Sequence, residues 1–211
     1  MKKVIGVLMV VILSLTLYIK YDENVQASRY KDDISNKIIR FHVLANSDDE
    51  EDQKLKLKVR DEVLKYVEPK IKGLDNKEQV KNFLIKEDST IQDICNKTIK
   101  DNGYNYEVAT KFETHDFPVK SYGNIVLPQG QYEAYRIIIG QGEGQNWWCV
   151  MFPPLCFVDI SKGELAYKEN EKAMKTVLSE KEFNMVDGTK EKKVTFSFKI
   201  VEVIKEVINK L

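Results

Sequence analysis

A short basic patch followed by an uncharged apolar run is the feature that most limits what this chain can be. Met1, Lys2 and Lys3 precede a stretch from Val4 to Ile19 that carries no charge until Lys20. A membrane-spanning helix needs about 20 apolar residues and a signal-peptide core roughly 7–15, so the run lies between the two. Val25-Gln26-Ala27 places small residues where a signal peptidase would cut, before Ser28. Residues 1–27 are therefore read as a signal peptide, with an uncleaved anchor at 4–19 as the alternative. In both cases Lys2 and Lys3 stay on the cytoplasmic side and the rest of the chain leaves it. The polar stretch 28–37 is read as a linker and 38–211 as one domain of ordinary size.

Charge excludes one class of partner. The 33 basic and 33 acidic residues balance, and removal of 1–27 leaves 30 and 31, because Lys2, Lys3 and Lys20 go with Asp22 and Glu23. A domain so close to neutral has no electrostatic hold on nucleic acid or anionic lipid.

The hydrophobic pattern predicts an α+β fold: a mainly antiparallel sheet, a helical run after the first strand, and a C-terminal helix. Ile38–Ala45 reads as a strand. Ser47 and Glu50 then read as a capping box opening a helix over 49–68, with Leu55, Val59, Val63 and Val67 on one face and Pro69 and Gly73 at its end. Two further helices follow, near 75–84 and 88–102, the second closed by Gly103. Strands are expected over 104–112, 122–127, 132–139 and 146–152. The middle two would form a hairpin across Pro128-Gln129-Gly130-Gln131. A helix is expected over 170–180, a strand over 194–200 and a last helix to Leu211.

Candidate chemistry is sparse. His42 and His115 are the two histidines, and the sequence has no ligand spacing that would hold a metal, so no metal or cofactor is expected. A secreted cysteine hydrolase would use Cys149 as nucleophile, His115 as base and Asp116 or Asn124 to orient it. Against this, Cys149 lies within an apolar strand rather than at a helix N-terminus. Gly140, Gly142 and Gly144 lack the following helix and lysine of a phosphate loop and read as a flexible hairpin loop. Cys149 and Cys156 could be bridged through a turn at Pro153-Pro154, since an extended span of seven residues (about 23 Å) must fold back to bring Cα atoms within about 7 Å. Such a short bridge contributes about 2–3 kcal/mol. The alternative is two small apolar core residues, and Cys95 reads as buried on its helix.

Three segments carry a family resemblance: Arg40–Asp48 (RFHVLANSD), Glu51–Asp61 (EDQKLKLKVRD) and Asn146–Asp159 (NWWCVMFPPLCFVD). Together they resemble the stage II sporulation protein R family over roughly 38–159. The resemblance implies a protein without catalytic residues of its own. It would be made in the forespore and exported into the space between the two membranes of an endospore-forming cell. There it would activate a membrane-embedded aspartic protease of the mother cell that processes pro-sigma-E. Asn46, Asp52, Trp147, Trp148, Pro153 and Pro154 are the residues expected to contact that partner. The hydrolase and a structural envelope protein are the competing classes.

Overall fold

The computed structural model describes residues 2–158 and 163–189. Its first element is one long helix, α1 (Lys2–Asn36). Val4, Met9, Leu13 and Leu17 are exposed along its first half, whereas Ile34 near its end is buried. Residues 28–36, expected as a linker, are therefore helical. Ile34 and Ile38 dock on the domain, and two apolar residues in a charged stretch are too few to show a helical period. Among the described residues no helix is long and apolar enough to cross a membrane.

Strand β1 (Ile39–Leu44) is buried along its whole length. Helices α2 (Glu50–Ile71), α3 (Lys77–Lys86) and α4 (Asp88–Asp101) follow. Helix α2 has Glu50, Glu51 and Asp52 in its first turn, where the helix dipole favours negative charge. Its buried residues Leu55, Val59, Val63, Val67 and Ile71 recur every fourth position. Pro69 falls in the last turn without ending the helix, which runs on to the buried Ile71. The chain then forms β2 (Val108–Phe117), β3 (Lys120–Tyr122), β4 (Ile125–Leu127), β5 (Gly130–Ile139) and β6 (Asn146–Phe152). A 3-10 turn at Leu155–Phe157 precedes α5 (Glu164–Lys175) and α6 (Glu180–Val186). Ser179 and Glu182 form a full capping box on α6.

The main sheet has the order β2-β5-β1-β6 and is mixed. β1 runs parallel to β5 and antiparallel to β6, and β2 is antiparallel to β5. The expected hairpin between 122–127 and 132–139 does not form: β4 pairs with β3 in a separate two-stranded sheet. The strand expected over 104–112 lies later, and α5 starts before 170. The strand over 194–200 and the last helix lie outside the described residues.

Alternation along the strands divides the interior into two cores. Ile39, Phe41 and Val43 face α2–α4 together with Tyr135, Ile137, Ile139, Cys149 and Met151. On the other face Tyr132, Ala134, Val150 and Phe117 meet Ile34, Ile38, the β3–β4 pair, Met174, Leu178, Phe183 and Val186. Register puts Arg40 opposite Ala134 and Val150, so Arg40 and His42 point into this second layer.

Candidate functional site

Asn46 to Asp52, between β1 and α2, forms a clasp. Asn46 Nδ2 and Ser47 Oγ both donate to Asp52 Oδ2, at 2.8 and 2.7 Å. Ser47 Oγ also accepts from Asp49 N at 3.1 Å. The N-cap of α2 is Asp49, which makes no side-chain cap bond, and the Ser47–Glu50 capping box expected from sequence is absent. The clasp also holds the glycine loop. Gln141 N donates to Asn46 Oδ1 at 3.0 Å, Glu143 N to Asn46 O at 3.2 Å, and Gln145 N to Asp48 Oδ1 at 2.6 Å. Lys56 Nζ closes the ring on Gln145 O at 2.8 Å. A Cβ at Gly144 would lie 2.0 Å from Ser47 O. The loop read as flexible is instead fastened across its length. Burial raises the Asp52 pKa, but hydrogen bonds from Asn46, Ser47 and Tyr106 outweigh it and hold the carboxyl below the ordinary range.

At the other end of β1, Arg40 is completely buried. Its Nη2 donates to Tyr122 Oη at 2.9 Å, while Nε and Nη1 have no partner. Its guanidinium lies over the rings of Phe117, Tyr132 and Tyr122, at 4.5, 4.9 and 5.5 Å. His42 stacks on Trp148 with centroids 3.8 Å apart and accepts from Arg136 Nε at 3.3 Å. Arg136 is paired in turn with Glu113. Burial, then the Arg136 guanidinium, lowers the His42 pKa to about 3, so the ring is neutral. Sequence reasoning passed over Arg40; its signal was a cation at the alternate position of an apolar strand.

Strand β6 lies at the edge of the sheet and carries the paired tryptophans on opposite faces. Trp147 packs edge-on against Phe41 at 5.8 Å, with Arg60 over its ring at 4.9 Å. Trp148 packs on His42 and Phe117, with Lys120 Nζ 5.8 Å from its ring centre. Both indoles are half-buried, each under a cationic side chain. Pro153 is buried behind a cis Phe152–Pro153 bond and Pro154 is exposed. Of the residues expected to meet a partner, Trp147, Trp148 and Pro154 therefore have surface to offer. Asn46 and Asp52 use their side chains within the clasp.

The hydrolase arrangement is not assembled. Cys149 pairs with Phe41 and shares its face towards α2–α4, whereas His115 pairs with Tyr132 and lies on the His42 face. The sheet separates nucleophile from base. His115 belongs to β2 rather than to a loop, Asp116 is exposed, and Asn124 is buried at 8% exposure. Among the described residues no group of histidines, cysteines and carboxylates could hold a metal. Cys95, Cys149 and Cys156 are free thiols, so the expected bridge is not formed in the structure.

These features define a mixed-sheet α+β domain whose first strand, clasp and edge strand carry its distinctive residues. All three lie within residues 35–162, which match the family model for stage II sporulation protein R. The chain belongs to the stage II sporulation protein R family. Stage II sporulation protein R of Bacillus subtilis (strain 168) is 38% identical over 159 residues, covering 75% of this chain and 71% of that protein. No solved structure matches the chain.

Proposed function

We propose that this protein is an exported signal of sporulation. In this reading it is made in the forespore, crosses into the space between the two membranes, and activates a membrane-embedded aspartic protease of the mother cell, which then processes pro-sigma-E. The observation that carries the reading is family membership across the first strand, the clasp and the tryptophan strand. The exposed apolar side chains in the first half of α1, behind Lys2 and Lys3, support export or anchoring. The half-buried, cation-covered Trp147 and Trp148 support a protein partner, because aromatic and arginine side chains dominate binding hot spots.

The test is genetic. Deleting the gene in its sporulating host and blotting for pro-sigma-E is expected to show loss of processing, restored by the wild-type gene. Complementation with Trp147→Ala is expected to lower processing while the purified variant keeps a cooperative melt. Normal processing in the deletion strain would sink the reading.

A further inference from the structure

Two thiols at the edge of β6 stand together where nothing in the signalling reading uses them. Cys149 ends up inside the first core at 4% exposure, while Cys156, in the 3-10 turn, is half-buried. The chain between them reverses at Pro153-Pro154, so that the turn packs back on β6. Both sulfurs face one oxygen: Cys156 Sγ is 2.9 Å and Cys149 Sγ 4.0 Å from Val150 O. The thiols are also within hydrogen-bonding reach of each other. Cys95 sits apart on α4.

We infer that Cys149 and Cys156 are a redox-modifiable pair, closed by a disulfide-bearing oxidant after the chain leaves the cytoplasm. Export, from the reading above, sets where the oxidant is met, but the chemistry does not depend on the signalling role. Cys156 is the less buried residue of the two and reacts first. It loses its proton, and its sulfur attacks one sulfur of the oxidant R–S–S–R, forming Cys156–S–S–R and releasing one thiolate. Cys149 then gives up its proton and attacks the Cys156 sulfur, expelling the second thiolate. The two protein thiols are oxidised by two electrons, the oxidant is reduced to two R–SH, and the two protons end on them.

Burial raises the Cys156 pKa, and its hydrogen bond to Cys149 raises it further, against the Val150 carbonyl contact and the charge of Arg40. Little thiolate is present at neutral pH, so the first step is slow with a small-molecule disulfide. The product would pin the Pro154 turn to the strand that bears both tryptophans.

Mass decides the matter. The reduced full chain is incubated to completion with oxidised glutathione at alkaline pH, where the thiolate fraction is larger, then acid-quenched, unfolded and alkylated with N-ethylmaleimide. The reduced chain is expected to take a maleimide on each of its three cysteines. The oxidised chain is expected to take one, on Cys95, with the peptide holding Cys149 and Cys156 lighter by two hydrogen atoms. Alkylation of all three cysteines after oxidation, an arrested glutathione adduct on Cys156, or a bridge to Cys95 would each overturn the inference. The same labelling on acid-quenched sporulating cells is expected to find the bridge, and free thiols there would overturn its place in the cell. Because mass is read rather than processing, failure of the signalling reading leaves this result intact.

Discussion

The guanidinium of Arg40 has no carboxylate partner among the described residues; one phenol and three aromatic rings receive it. Burial lowers its pKa against the favourable fields of Tyr122, Tyr132 and both neighbouring thiols. A buried charge without a counter-ion carries an unrecovered desolvation cost. Arg40→Met is therefore expected to leave the urea midpoint unchanged or raised, whereas Arg40→Ala opens a cavity and loses about 2–4 kcal/mol. His42 behaves differently. Its folded pKa of about 3 lies below its unfolded value, so the stability it contributes is complete above roughly pH 6.5 and is lost as pH falls towards 3. Between pH 6.5 and 5 this amounts to as much as about 2 kcal/mol. Asp52, Glu133 and Glu182, also lowered, act only below the unfolded carboxylate range, nearer pH 4. Urea midpoints measured from pH 7 to 5 are expected to fall for the wild type and to flatten in His42→Phe, with a residual slope from the more exposed His115.

At the scale of elements, the clasp joins β1, α2 and the β5–β6 loop through backbone as well as side chains, and two glycines make this approach possible. Gly140 has φ +58°, and a Cβ there would meet Asn46 Oδ1 at 2.2 Å; the corresponding clash at Gly144 is with backbone. Gly103 has φ +83° but open space around it. Gly144→Ala is expected to cost about 3 kcal/mol or more, because the Ser47 carbonyl must move. Gly103→Ala should cost about 1–2 kcal/mol, the left-handed penalty alone. Denaturant titration of the two variants separates these. The same elements show what a sequence makes legible. The α2 stripe was readable because Val59, Val63 and Val67 keep helical period with no competing signal. The capping box of Ser47 and Glu50 does not form because the helix is capped at Asp49, while Ser47 Oγ donates to Asp52 and accepts from Asp49 N, an arrangement that depends on Asn46 and the distant loop. The expected hairpin does not form because, although Pro128-Gln129-Gly130-Gln131 has turn chemistry, β5 pairs with β2 across the β3–β4 excursion and with the distant β1. For the candidate site, the motif residues were found, but their division into clasp, buried layer and surface was invisible until strand faces were assigned.

For the whole molecule, the position of β1 matters most. Its neighbours are β5 on one side and β6 on the other, at 130–139 and 146–152, while β1 itself occupies 39–44. A fragment ending at Pro128 would contain β1 and all three helices of the first core but neither strand that flanks β1. Residues 28–128 are therefore expected to give no cooperative thermal transition by circular dichroism, whereas residues 28–211 should melt in one step. Pairing at such sequence separation makes sheet formation wait on late segments. A ribosome thus releases most of this polypeptide before any stable sheet can close. The arrangement acts as its own timer: the main sheet closes around β1 only once β5 and β6 have emerged.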